Sequence, residues 1–202
     1  MDRVDLKRQL KEFYNSSSQE VEFVDVPAMN FLMVDGKGNP NNSPDYRAAI
    51  EALFSVSYTL KFMVKKEKSI DYGVMPLEGL WWVEDMTKFN PENKDDWLWT
   101  AMIMQPNFAK AEDVKATIVQ VKKKKDLPKI DKLRFESFNE GKAAQILHIG
   151  PYSAEGANIA KIHDFIQNKG YILSGKHHEI YLNNPGKTAP EKLKTIIRQP
   201  MK

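Results

Sequence analysis

The chain has 202 residues, of which 42% are hydrophobic and 28% are charged, and its formal net charge is +3. This composition is typical of a globular protein and excludes disorder, collagen and coiled coil as descriptions of the whole chain. No apolar stretch approaches the roughly 18 residues that a membrane-spanning helix needs. The absence of cysteine excludes disulfides, thiolate metal sites and cysteine nucleophiles.

The first twenty residues are rich in charged side chains and contain no apolar core. No signal peptide is therefore predicted, and we expect a cytoplasmic location. Positive charge is concentrated in residues 107–134, where Lys122 to Lys125 form a continuous run. This run favours a solvent-exposed helix end, and contact with an acidic partner stays open as the alternative. A nucleic-acid partner is not predicted, because the lysines are not interleaved with base-contacting groups. A membrane contact is not predicted either.

The first half of the chain alternates extended and helical patterns. Its predicted elements are a short polar helix with a serine-rich joint (1–20), extended segments (21–26 and 31–34), a loop (36–40), a helix (44–64), strands (73–84 and 97–105) and a linker helix (about 109–125). The first long helix is the best marked. Ser43-Pro44-Asp45 is typical of a helix start, and apolar residues then recur at three- and four-residue steps over about five turns.

The same order returns after Pro128. The predicted elements are extended segments (133–138 and 142–149), a turn at 150–152, a helix capped by Ser153 and closed by Gly170, and strands (179–182 and 193–199). Three pairs of anchors support a repeat: the helix caps Ser43 and Ser153, the strand glutamates Glu78 and Glu179, and the strand ends Gln105-Pro106 and Gln199-Pro200.

We therefore predict an α+β fold, a duplicated strand-helix-strand-strand module with pseudo-twofold symmetry and a central ligand cleft. Residues 21–202 would form a single domain of two repeats, 21–106 and 130–202, joined by the linker helix. Residues 1–20 would precede that domain as a short helix and joint.

Four strings in this order resemble the GyrI-like small-molecule-binding family: Phe31-Leu-Met-Val-Asp-Gly-Lys-Gly-Asn-Pro40, Glu78-Gly-Leu-Trp-Trp82, His148-Ile-Gly-Pro-Tyr152 and His178-Glu-Ile-Tyr-Leu-Asn-Asn-Pro185. The resemblance covers almost the whole chain. The branch that the chain resembles is a stand-alone one without a DNA-binding domain, because residues 1–20 are too short for a helix-turn-helix.

The resemblance implies a domain that binds small hydrophobic or amphipathic, often aromatic molecules in a central cleft. Relatives include effector domains of multidrug-responsive activators, a gyrase-inhibiting protein and stand-alone members that hydrolyse strained cyclopropane compounds. It therefore implies a detoxifying hydrolase of reactive electrophiles such as cyclopropanoids. A non-catalytic binding or sensor module and a gyrase-interacting protein stay open as alternatives.

Glu179, Tyr152 and Tyr181 are the predicted catalytic residues. Glu179 falls on the family position that faces cationic aromatic ligands, and a buried strand carboxylate is costly unless it is paired or used. We therefore predict a base or cation receptor with a raised pKa, the alternative being a surface residue. Tyr152 and Tyr181 are expected to assist water attack, and alternation places Tyr181 on the same strand face as Glu179.

The predicted ligand-binding residues are Glu78, Trp81, Trp82, Tyr58, Phe54 and His148. Glu78 is the repeat counterpart of Glu179 and is predicted to share its work, with a surface position as the alternative. Trp81 and Trp82 point to opposite faces of a strand, so one belongs to the core and the other to an aromatic wall with Tyr58 or Phe54. His148 has either a structural or a cleft role.

No metal site and no cofactor are predicted. His177 and His178 are neighbours in a strand and do not form a zinc spacing with Glu179. There is also no Gly-x-Ser-x-Gly elbow and no phosphate-binding glycine loop. The expected partner is a small hydrophobic or cationic aromatic ligand, and the chain is expected to be a monomer or a weak homodimer.

Overall fold

The computed structural model describes residues 1–89 and 93–202 and confirms the predicted α+β class. The helices are α1 (Leu6–Gln9), α2 (Lys11–Tyr14), α3 (Pro44–Lys68), α4 (Ala111–Lys122) and α5 (Gly156–Asn168). The strands are β1 (Asp2–Val4), β2 (Glu22–Val26), β3 (Met29–Lys37), β4 (Ile70–Tyr72), β5 (Leu77–Trp82), β6 (Leu98–Gln105), β7 (Arg134–Phe138), β8 (Gly141–Ile149), β9 (His177–Tyr181) and β10 (Lys194–Pro200). Within the described ranges, every helix is too short or too polar to cross a membrane.

Two compact units make up the chain, and each draws on separate stretches of sequence. The first unit comprises Met1–Gln9, Met29–Met75 and Trp81–Phe138, and the second comprises Leu10–Ala28, Pro76–Leu80 and Asn139–Lys202. The units are defined by contacts and not by sequence similarity, so the repeat boundaries 21–106 and 130–202 stay a prediction.

The first unit packs the long helix α3 on an antiparallel sheet with the order β6-β3-β7. The Ser43 hydroxyl oxygen accepts a hydrogen bond from the Tyr46 amide, which confirms the predicted helix cap. The helix spans 25 residues and is therefore longer than predicted. Its buried stripe includes Ala49, Leu53 and Leu60. Strands β1 and β4 form a separate parallel pair.

The second unit packs α5 on an antiparallel sheet with the order β2-β8-β10-β9. Residues 77–80 of β5 also belong to this unit and lie next to β9. Ile162 and Ile166 of α5 form an apolar core with Ala144, Ile146 and Ile197 of the sheet. One face of this sheet is therefore the α5 face, and any residue that shares it with Ile197 lies on the helix side.

Two stretches of the chain have the same element order, β3-α3-β5-β6 (with the short β4 before β5) and β8-α5-β9-β10, which confirms the duplicated module. Their outer strands are exchanged along the chain: β2 precedes β3 but pairs with β8, whereas β7 precedes β8 but pairs with β3. Glu78 and Glu179 lie on the corresponding strands β5 and β9.

Ser153 does not cap a helix, so that part of the predicted repeat signal is wrong. Residues Tyr152–Ala154 form a short 3-10 turn, and α5 begins only at Gly156, after Glu155. The physical reason is the preceding turn at Gly150, which has a φ of 138°. Pro151 follows it, and its carbonyl accepts the Ala154 amide and closes a tight turn.

Gly36 lies within β3, opposite Trp99 of β6, and not in the predicted loop. The Trp99 indole is fully buried and occupies the space where a side chain on residue 36 would begin. Tyr46 packs edge-on against Trp99, with ring centroids 5.0 Å apart. Glycine is therefore required here by close approach of an aromatic ring.

We expect Gly36→Ala to lower the free energy of unfolding by about 1–3 kcal/mol, the usual cost of overpacking a core. The matched control is Gly73→Ala, because a Cβ there meets no other atom within 4 Å. Urea denaturation of both variants provides the measurement. Equal stability of the two variants would show that Trp99 moves aside without cost.

Candidate functional site

Strand β9 separates two polar clusters of the second unit, because successive side chains of a strand point to opposite faces. His178 lies opposite Arg198 of β10, and Glu179 lies opposite Ile197. Directly opposed residues of antiparallel strands share a face. His178 and Arg198 are therefore on one face, and Glu179 is on the α5 face.

The first cluster is a buried charge network of Tyr14, Glu78, His178, Glu140 and Arg198. The Tyr14 hydroxyl donates to Glu78 Oε1 at 2.7 Å, and His178 Nε2 lies 2.9 Å from Glu78 Oε2. The other ring nitrogen, Nδ1, lies 2.8 Å from Glu140 Oε1, and Arg198 Nη1 donates to Glu140 Oε2 at 2.9 Å. These contacts form a continuous series that connects Tyr14, in the N-terminal segment, to Arg198 of β10.

The remaining donors of Arg198 tie the network to α2. Its Nε donates to Gln145 Oε1, and its Nη2 donates to the Phe13 carbonyl oxygen. Gln145 in turn donates to the Glu12 carbonyl oxygen. Residues 12–14 are thus held by hydrogen bonds to other parts of the second unit, so the N-terminal segment is a built-in part of the fold.

Mutual pairing sets the protonation of the network. Burial alone lowers the pKa of His178, but the charges and hydrogen bonds of Glu140 and Glu78 raise it to about 9. Burial alone would raise the pKa of Glu140, but His178 and Arg198 lower it to about 2. Burial, and then the charge of Glu78, raise the pKa of Tyr14 well above its usual value. At neutral pH His178 is therefore protonated and Glu140 is ionised.

The structure does not bring Glu78 and Glu179 together. Glu78 is fully buried and bonds to Tyr14 and His178, on the face of β9 opposite Glu179. The hypothesis that the two glutamates share one task is therefore not supported by their positions, and a ligand-binding role for Glu78 stays a prediction.

The second cluster consists of Glu179, His177, Tyr181 and Tyr152. His177 Nε2 lies 3.0 Å from Glu179 Oε1, and the Tyr181 hydroxyl donates to Glu179 Oε2 at 2.7 Å. The ring of Tyr152 meets that of Tyr181 edge-on, with centroids 5.7 Å apart. All three predicted catalytic residues are thus neighbours on the α5 face.

Glu179 is buried, with 8% of its surface exposed, and its two hydrogen bonds fix the direction of the carboxylate. An ionised carboxylate only accepts hydrogen bonds, so ionised Glu179 requires the His177 proton in this bond to be on Nε2. Burial, followed by the charges of Glu179 and Glu155, raises the pKa of Tyr152 to about 12. Tyr152 therefore stays protonated at neutral pH and is a hydrogen-bond donor.

Burial first, and then the charge of His177, lower the pKa of His163 of α5. His163 is therefore neutral at pH 7. No group of three or more His, Cys, Asp or Glu side chains suited to a metal ion occurs in residues 1–89 and 93–202.

His148 has a structural position at the start of the Gly150 turn. Its Nε2 lies 3.1 Å from the Pro151 carbonyl oxygen, and its Nδ1 lies 3.1 Å from the Asn158 side-chain nitrogen. The amide of Asn158 donates to Nδ1, so Nε2 carries the proton and donates to Pro151. His148 thereby joins β8 to α5, and its predicted contact with a ligand stays a prediction.

The predicted aromatic residues belong to the first unit. Trp81 is buried against Tyr46 and Trp97, with ring centroids 5.5 and 5.4 Å away, whereas Trp82 is half-buried. Trp81 therefore has the core position that alternation predicted for one of the pair. Phe54 and Tyr58 line a groove beside α4.

Sequence reasoning missed two groups of residues for different reasons. His177 shares a strand face with Glu179, so the alternation that linked Tyr181 to Glu179 also contained the signal for His177. Tyr14, by contrast, lies 64 residues from Glu78 in the chain, and no local pattern links them.

Comparison with known proteins identifies relatives in sequence and fold. Residues 19–202 match the model of a family described as a GyrI-like small molecule binding domain. An uncharacterised conserved protein from Listeria innocua is 39% identical, with a TM-score of 0.90 over 98% of this chain and 100% of that one. A hydrolase from the same organism is 38% identical, with a TM-score of 0.88 over 100% of both chains.

A more distant structure shares the fold alone. The C-terminal domain of EcmrR is 13% identical, with a TM-score of 0.54 over 91% of this chain and 97% of that one. No curated protein matches the chain.

The raised pKa of His178 predicts a specific pH dependence. Its stabilising effect is complete below the unfolded pKa of 6.5 and is lost as the pH rises through about 9. We expect the free energy of unfolding to fall by roughly 3 kcal/mol over this interval. Urea denaturation at several pH values measures it. The free energy of unfolding of His178→Gln should no longer fall over this pH interval, whereas that of His163→Gln should fall as in the parent. If His178→Gln shows the same fall as the parent, another group is responsible for it.

Tyr14→Phe tests whether the N-terminal segment contributes to folding. It removes the hydrogen bond to Glu78 and keeps the ring, so we expect a loss of about 1.5–3 kcal/mol, the range for hydrogen bonds to charged groups. Tyr58→Phe is the control, because Tyr58 is exposed. Thermal and urea unfolding of both variants give the result, and a Tyr14→Phe protein as stable as the parent would contradict the role of this bond.

Proposed function

Because the chain belongs to the GyrI-like small-molecule-binding family, we propose that it binds small hydrophobic or amphipathic, often aromatic molecules and hydrolyses reactive electrophiles among them. The substrate class is a strained cyclopropane conjugated to a carbonyl group, and the role is detoxification. The proposed site is the cluster of Glu179, His177, Tyr181 and Tyr152 on the α5 face of the second unit.

One observation carries the proposal: a buried carboxylate is held in place by two donors and lies beside protonated phenols. His177 and Tyr181 bond to separate oxygens of Glu179, so the carboxylate cannot rotate without losing one of them. A fixed base beside a fixed donor is the arrangement that general acid–base catalysis requires.

The proposed reaction is a hydrolytic ring opening. Glu179 takes a proton from a water molecule while the water oxygen forms a bond to a ring carbon of the substrate. The strained carbon–carbon bond breaks, and its electron pair moves through the conjugated system to the carbonyl oxygen, which becomes an enolate or phenolate. The proton held by Glu179 then passes through solvent to that oxygen, so one water is consumed and the carboxylate is restored.

Tyr152 is proposed to donate a hydrogen bond to the oxygen on which charge develops. Its pKa of about 12 keeps the hydroxyl proton in place at neutral pH. Its ring contacts that of Tyr181, which already donates to Glu179. The two tyrosines thus have separate tasks, since Tyr181 orients the base and Tyr152 stabilises the transition state.

The relatives support hydrolysis as the reaction type. A Listeria innocua protein that is 38% identical over the full length of both chains is described as a hydrolase. Its substrate is not specified by that description, so the cyclopropane class rests on the chemistry of the Glu179 cluster and on the family resemblance. The cytoplasmic location and the monomeric or weakly dimeric state stay predictions.

A second function is favoured by the charge and aromatic character of the same cluster. An ionised Glu179 beside the rings of Tyr152 and Tyr181 is also a receptor for cationic aromatic molecules. The site would then bind and sequester such molecules without turnover.

Glu179→Gln distinguishes the two functions. Glutamine keeps the size of the side chain and removes the negative charge. If Glu179 is the base, turnover of a spirocyclopropane conjugated to a dienone should fall roughly 10²- to 10⁴-fold, and binding of a neutral aromatic compound should be preserved. If Glu179 is only a cation receptor, the parent shows no turnover and the variant loses affinity for a cationic aromatic compound.

Glu191→Gln is the matched control, because Glu191 is an exposed glutamate of the same unit. Turnover is measured by chromatography of the ring-opened product, and circular dichroism shows that each variant is folded. A Glu179→Gln protein that hydrolyses at the rate of the parent would remove Glu179 from the mechanism.

A further inference from the structure

A groove between α3 and α4 in the first unit has no role in the proposed hydrolysis. Its volume is about 370 Å³. Its lining includes Phe54, Ser55, Tyr58, Phe62, Lys124 and Lys125. We refer to it as the α3–α4 groove.

One wall of the α3–α4 groove is an aromatic stripe. Phe54, Tyr58 and Phe62 follow one another at four-residue steps of α3, so they lie along one side of the helix. The rings of Phe54 and Tyr58 are stacked, with centroids 6.2 Å apart. Tyr58 is 49% exposed and Phe62 is 60% exposed. Three adjacent aromatic rings at the surface form a ready contact for a flat apolar group.

Two lysines at the end of α4 give the groove a positive charge. Lys125 Nζ donates to the Ser55 hydroxyl oxygen at 3.3 Å, which holds it at the groove. Neither Lys124 nor Lys125 forms an ion pair with an acidic residue of the described part of the chain. The neighbouring Lys122, in contrast, is paired with Asp131. The positive charge that faces the groove is therefore not balanced by its lining, which contains no Asp or Glu.

We propose that the α3–α4 groove is a second ligand site that binds small amphipathic anions. The ligand class is a flat ring system that bears a carboxylate, sulfate or sulfonate group. The rings would lie on the aromatic stripe, and the acid would face Lys124 and Lys125. The volume is within the range of small-molecule pockets, roughly 300–1,000 Å³.

This site goes beyond the proposed function and does not depend on it. The Glu179 cluster presents a carboxylate and selects neutral or cationic molecules, whereas the α3–α4 groove presents two ammonium groups and selects anions. The run Lys122–Lys125, for which sequence analysis favoured a solvent-exposed helix end, thus contributes two of its members to recognition.

The test is a titration with naphthalene-2-sulfonate, compared with the neutral naphthalene-2-methanol, followed in ¹H–¹⁵N NMR spectra. We expect the amide signals of residues 54–62 and 120–125 to shift. We also expect the sulfonate to bind about five-fold more tightly than the alcohol, which is the contribution of two partly exposed ion pairs. This preference should decrease as the salt concentration rises.

Two double variants identify the charges responsible. Lys124→Gln with Lys125→Gln should abolish the preference for the sulfonate. The control, Lys115→Gln with Lys123→Gln, removes the same net charge from exposed positions outside the lining and should keep the preference. Tyr58→Ser with Phe62→Ser should weaken the binding of both compounds, because it removes two of the three rings of the aromatic stripe.

Glu179→Gln should leave sulfonate binding unchanged, which separates this site from the proposed hydrolysis. The proposal is overturned if the sulfonate does not shift the amide signals of residues 54–62 and 120–125, or if the preference survives in the Lys124→Gln, Lys125→Gln protein. It is also overturned if the control variant loses the preference to the same extent.

Discussion

The buried charge network is the constraint on which the second unit depends. Removing four charged side chains from water is costly, and the cost is offset only when every partner is in place. Glu78, His178, Glu140 and Arg198 come from different parts of the chain, and Tyr14 completes the set. The network therefore admits only one register of β9 against β10, because a shift of one residue would move His178 to the other face.

The same alternation gives neighbouring residues different surroundings. His178 is committed to the network, while His177 and Glu179 face α5. A strand that is fixed on one face by paired charges holds the side chains of the other face in fixed directions. Precise placement of functional groups on rigid elements is what a catalytic carboxylate requires. The network thus supports the candidate site without being part of it.

The sequence predicted the elements well because their signals are local. Ser43 caps a helix as expected, since the cap and its partner amide are three residues apart. The same signal failed at Ser153, where the turn at Gly150 and Pro151 competes for the same backbone groups. Long-range pairings had no local signal. Glu179 was found through a family resemblance and alternation, whereas the partners of Glu78 depend on contacts between distant segments of one sequence.

The exchange of outer strands has a consequence for synthesis of the chain. Strand β2 leaves the ribosome early, but its partner β8 follows roughly 120 residues later, since Glu22 pairs with Gln145. Strand β3 likewise cannot pair with β7 until residues 134–138 have been synthesised. Contacts between such distant segments slow folding, and the edges of β2 and β3 lack their partners during that interval. The nascent chain therefore passes through a stage in which neither sheet can be completed. The sheet of the second unit can be completed only after β10, near the end of the chain, has emerged.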